Sequence, residues 1–96
     1  MATIPQEFRN PLIDLLEWHL NEFPENPDAL DFSYKRLKRL YEDLCGHRYE
    51  LNNDTLCFLK DAVYDAMKYI DECRIDSEQL SRIAEWVNTQ WKNRKP

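Results

Sequence analysis

The sequence predicts an all-α fold, a small four-helix bundle with antiparallel neighbours and short connections. Three observations carry this. The chain of 96 residues holds a single glycine, Gly46, where an average chain has about 7%, which leaves little material for tight hairpins or phosphate loops. Apolar residues recur at steps of three and four in four separate stretches. Each stretch is bounded by a proline, the glycine or a short polar capping residue.

The first helix is expected at about 11–23. Asn10 reads as its N-cap and Pro11 as N1, where the missing N–H is harmless. Residues 12, 15, 16, 20 and 23 form its apolar face, with Asp14, Glu17 and Asn21 opposite, and Pro24 stops it. Before it, Ile4 to Arg9 reads as a short turn that lays Ile4 and Phe8 on the bundle. The second helix, about 27–45, opens on Asn26-Pro27-Asp28 by the same device. Leu30, Tyr34, Leu37, Tyr41 and Leu44 make a heptad-like seam widened by Leu40. Gly46 falls just past it, where a left-handed C′ residue is wanted.

The third helix, about 54–73, carries Leu56, Leu59, Val63, Ala66, Ile70 and Cys73 at alternating steps of three and four. Asp76 with Gln79 resembles a capping box for the fourth, about 77–92, and Ile75 with Leu80 supplies the hydrophobic staple. Leu80, Ile83, Ala84, Val87 and Trp91 form its buried face. Arg48 to Leu51 is the best strand signal and too short to shape the fold. No repeat, linker or low-complexity tract divides residues 1–96, so a single helical domain is expected.

Composition limits the function. The net charge is −5, hydrophobic residues are 43% and charged residues 32%, an ordinary balance for a globular protein. No stretch approaches the roughly 20 apolar residues of a membrane span, and the N-terminus lacks the pattern of a secretory signal. Cys45, Cys57 and Cys73 show no C-x-x-C pairing, so reduced thiols in the cytoplasm are expected, each packed as a small hydrophobe. Residues 1–26 set five acids against the single base Arg9. That acidity disfavours non-specific nucleic-acid binding and suits a basic partner.

Catalytic signals are sparse. His19 reads as a boundary histidine beside Trp18. Cys45, His47 and Cys57 lack the paired spacing of a structural zinc site. Cys57, flanked by Leu56 and Phe58, reads as packed rather than nucleophilic. Walker, H-E-x-x-H and G-x-S-x-G motifs are absent. No enzyme, metal or cofactor is expected.

Two surface features stand out. Lys35, Arg36, Lys38 and Arg39 put four bases within five residues of the second helix. They read either as a phosphate-contacting face or as a solvated face that answers nearby acids. Aromatic residues make up 12% of the chain. Trp86, Phe32 and Tyr64 lie off the apolar seams, where aromatic side chains serve as interface anchors. The leading expectation is a non-enzymatic protein-binding module, a small acidic inhibitor of the immunity or anti-defence type, or an adaptor. It would cover a surface of a larger protein, for which a nucleic-acid-binding protein has suitable charge, and act as a monomer or homodimer. The alternative is a binder of nucleic acid or another anionic partner through residues 35–39.

Overall fold

A computed structural model describes residues 2–22, 32–72 and 75–93. Its four helices are α1 (Arg9–Glu22), α2 (Phe32–Cys45), α3 (Asn53–Lys68) and α4 (Ser77–Asn93). Helix α1 packs on α2 and α3, α2 also on α3, and α3 on α4. The all-α class is therefore shown. No helix among the described residues is long and apolar enough to cross a membrane.

The apolar stripes do the packing. Leu12, Leu15 and Leu16 of α1, Leu37, Leu40 and Leu44 of α2, Leu56, Leu59 and Val63 of α3, and Leu80, Ile83 and Val87 of α4 are all buried in one cluster. Ala62 and Ala66 are also buried, and their small size allows a neighbouring helix to come close. Ile75 and Leu80 are buried together at the start of α4. There Asp76 Oδ1 accepts the Glu78 amide at 3.1 Å, satisfying one of the free N–H groups of the first turn.

Several boundaries differ from the sequence expectation. Helix α1 begins at Arg9, because a 3₁₀ turn at Gln6–Phe8 leads straight into it. Asn10 is thus inside the helix, and its Oδ1 accepts from Arg9 Nη1 at 3.0 Å instead of capping. Helix α3 starts after Asn52, whose side chain accepts the Thr55 amide at 2.8 Å, and ends at Lys68 rather than near Cys73. Tyr69 leaves helical geometry at φ −112° and ψ 42°, with its ring 6.3 Å from that of Trp18. Ile70 still packs against the core. The expected helix start at 27, the seam residue Leu30 and the helix stop at Pro24 lie outside the described residues, as does Cys73.

The end of α2 corrects the role given to Gly46. The Arg48 amide donates to the Asp43 carbonyl at 2.8 Å and the His47 amide to the Leu44 carbonyl at 3.1 Å. This pair of bonds is the Schellman pattern, with His47 at C′ and Arg48 at C″. His47 has φ 60°, whereas Gly46 does not have positive φ. The left-handed residue is therefore one position later than the glycine. An ion pair from Arg48 Nη2 to Asp43 Oδ1 at 3.1 Å spans the same two positions, C″ and C3.

The strand signal at Arg48 to Leu51, short as it is, does form a pairing. Glu50–Leu51 (β2) pairs antiparallel with Ala2–Thr3 (β1), in register Ala2 to Leu51 and Thr3 to Glu50. The Ile4 amide extends the ladder with a bond to the Tyr49 carbonyl at 2.7 Å. The ladder is short, yet it buries Ile4 and Leu51 to 1% and 2% exposure. The N-terminal turn does lay Ile4 into the core and Phe8 against it.

Candidate functional site

The described surface offers four features: the Trp86 flank of α4, the Tyr64 face of α3, the basic segment of α2, and an acidic face on α1. Trp86 lies at the margin of the α4 stripe, half-buried against the core. Its ring meets that of Phe8 edge to face, with centroids 6.0 Å apart and planes at 69°. Beside them opens a cleft of about 360 Å³ lined by Glu7, Phe8, Arg82, Glu85, Trp86 and Thr89. Arg82, on the same lining, pairs with Glu78 Oε1 at 3.1 Å, one helical turn back.

Tyr64 is on the other flank. It is 39% exposed, and its hydroxyl donates to Asn88 Oδ1 at 2.8 Å. Asn88 is two residues beyond Trp86, about 200° around α4, so Trp86 and Tyr64 do not share one patch. The Lys60 ammonium sits 4.8 Å from the Tyr64 ring centre and 5.3 Å from that of Trp91, in range for cation–π attraction. Met67, 46% exposed, adds apolar surface on the same side of α3. Phe32 begins α2, but its side chain lies outside the described residues.

Lys35, Arg36, Lys38 and Arg39 are all exposed on α2. Arg36 reaches Asp54 Oδ2 at 4.0 Å and Arg39 Nε reaches Asp43 Oδ1 at 3.4 Å. Asp43 also holds Arg48. Two of the four bases thus already face carboxylates, and the cleft beside Arg36 and Arg39 also carries Asp43 and Glu50. A phosphate arriving there would meet that negative charge.

The opposite sign gathers on α1. Asp14, Glu17 and Glu22, with Glu72 from the turn after α3, line a cleft of about 250 Å³ beside Trp18. Tyr69 is 46% exposed next to it. Carboxylates of one sign, close together, create a field that steers basic partners and repels acidic ones.

Groups suited to catalysis are scattered. His19 is buried at 8% exposure within α1, its ring 6.3 Å from that of Trp18. His47 is exposed at the end of α2, with Nδ1 3.3 Å from the Tyr49 hydroxyl. The expectation that each thiol is packed fails at Cys45, which is exposed, while Cys57 is half-buried. Cys45 follows Leu44, the last inward position of α2, and one more residue turns the chain about 100° toward solvent. Burial first, then the nearby Cys45 thiol and Glu17 carboxylate, holds the Tyr41 phenol above its ordinary 10.0. That is the wrong direction for an acid–base group working near neutrality. Among the described residues, no group of three or more His, Cys, Asp or Glu side chains could hold a metal ion.

Sequence reasoning missed the partners of these groups. Nothing in spacing along the chain announces that Phe8 meets Trp86, 78 positions later, or that Glu7 comes with it. The signal available was Phe8, the one aromatic residue in the sequence before α1. The chain matches no family model, no curated protein and no solved structure.

Proposed function

We propose that this chain is a non-enzymatic protein-binding module, an inhibitor or adaptor that covers a surface of a larger partner. The observation that carries the reading is Trp86, half-buried at the edge of an open cleft with Phe8 against its ring. An aromatic side chain already held on one side loses little freedom on binding, which favours anchor residues of this kind. An antiparallel four-helix arrangement would present this flank on a rigid element. Acidic surfaces on α1 supply long-range attraction to a basic protein, including one that binds nucleic acid. In this reading the module works in the cytoplasm as a monomer or homodimer.

Direct binding of nucleic acid through Lys35, Arg36, Lys38 and Arg39 is disfavoured by the ion pairs of Arg36 and Arg39 and by the net charge of −5. The test captures the partner from native source material, identifies it by mass spectrometry, and titrates it against variants of this chain. Trp86→Ala is expected to weaken binding at least about tenfold. Trp86→Phe, which keeps an aromatic ring against Phe8, separates that loss from a loss of folding. Lys38→Glu with Arg39→Glu should leave the equilibrium affinity nearly unchanged. Loss of the complex in that charge-reversed variant would overturn the proposal in favour of an anionic partner.

A further inference from the structure

We propose that the cleft between the N-terminal turn and α4 receives an arginine side chain of the partner protein, sandwiched against Trp86 and flanked by Glu7 and Glu85. The inference rests on the reading of Trp86 as an anchor and adds the chemistry of what occupies the cleft. Its walls come from two distant parts of the chain: Glu7 and Phe8 from the 3₁₀ turn, and Arg82, Glu85, Trp86 and Thr89 from α4. Glu7 and Glu85 are both exposed, and neither takes part in an ion pair among the described residues. Among the described residues Arg82 is the cation on this lining, and its exposed ion pair with Glu78 at 3.1 Å partly offsets its charge.

A lining that combines an aromatic ring with two exposed carboxylates selects its occupant by charge. A purely apolar group would strip water from two carboxylates and give nothing back. An anion would meet both of them. A guanidinium suits the ring and the carboxylates together: its flat face can stack on an indole, and its N–H groups donate to carboxylates in its own plane. An ammonium has no flat face to stack and no planar fork of donors, which is why arginine is named rather than lysine. The molecule uses the same attraction within itself, since the Lys60 ammonium lies over the rings of Tyr64 and Trp91. The net charge of −5 assists the approach of a basic segment.

The test uses the full chain, ¹⁵N-labelled, with the Trp86 indole N–H resonance assigned by its absence in Trp86→Phe. Two probes are titrated at low salt: acetyl-Ala-Arg-Ala-amide, and the same peptide with citrulline, which keeps the shape and loses the charge. The arginine peptide is expected to shift the Trp86 resonance saturably, with the citrulline peptide at least fivefold weaker. Glu7→Gln with Glu85→Gln should weaken the arginine peptide at least fivefold and bring the two probes level. Both substitutions are on exposed side chains, so an unchanged melting temperature is expected alongside. Equal binding of the two peptides to the native chain would overturn the inference while leaving Trp86 as an anchor for an uncharged group. Undiminished arginine binding in the double Gln variant, or no saturable shift with either peptide, would also overturn it. The anchor reading itself stands or falls separately, on capture of the partner by Trp86→Ala.

Discussion

His47 shows how much one backbone angle can decide. A non-glycine residue at φ 60° holds the C′ position of α2, directly after the only glycine in the chain. Left-handed geometry costs a side-chain-bearing residue about 1 kcal/mol, although histidine tolerates it better than branched residues. His47→Gly should therefore raise stability by about 0.5–1 kcal/mol, read as a higher midpoint in urea with an unchanged slope. A lower midpoint would mean that the contact of the imidazole with the Tyr49 hydroxyl outweighs the backbone strain. Gly46 is less constrained than its position in the sequence suggests. A Cβ there would meet the Arg48 side chain and the Glu42 carbonyl at 3.6 Å, ordinary contact distances.

Between elements, the most informative contact joins the start of α1 to the end of α2. Arg9 Nε donates to the Leu44 carbonyl at 2.9 Å and Nη2 to the Cys45 carbonyl at 3.3 Å. These carbonyls belong to the last turn of α2, where the negative end of the dipole favours a cation, and the Leu44 carbonyl takes Arg9 as a second donor beside the His47 amide. One side chain thus fastens two helices and closes a terminus. Arg9→Met, which keeps much of the aliphatic length, should cost about 1–2 kcal/mol, since charge-assisted bonds are lost and the Cys45 carbonyl is left to water. A denaturation curve matching the native chain would show that solvent caps α2 equally well. The ion pairs of Arg39 and Arg82 are surface i,i+4 contacts within single helices and should contribute far less.

For the molecule as a whole, the first residues complete the core instead of trailing from it. Ile4 is only 1% exposed, and its amide continues the ladder between β1 and β2. Truncating a buried isoleucine to alanine costs about 2–5 kcal/mol through lost burial and the cavity left behind. In a domain of this size each 1 kcal/mol moves the melting temperature by about 4–8 °C. Ile4→Ala is therefore expected to melt at least about 8 °C lower by circular dichroism. A shift under 2 °C would mean that the N-terminal segment is an appendage, and that Phe8 and Glu7 are not firmly held beside Trp86.

The sequence by itself determined the helical class, the inward faces and the start of α4, because these depend on residues three or four apart. Leu37, Leu40 and Leu44, or Leu80, Ile83 and Val87, meet the core through helical periodicity alone. The same locality made the off-seam positions of Tyr64 and Trp86 legible. Tertiary structure alone decided what lies next to them. It sent Tyr64 to Asn88 and Trp86 to Phe8 on opposite flanks of α4, turned two of the four α2 bases toward Asp43 and Asp54, and closed α2 with Arg9. It also ended α3 at Lys68, where the Tyr69 ring turns to Trp18. Each of these contacts depends on how helices pack in space, and packing is set by the summed shape of the core rather than by any short window of residues.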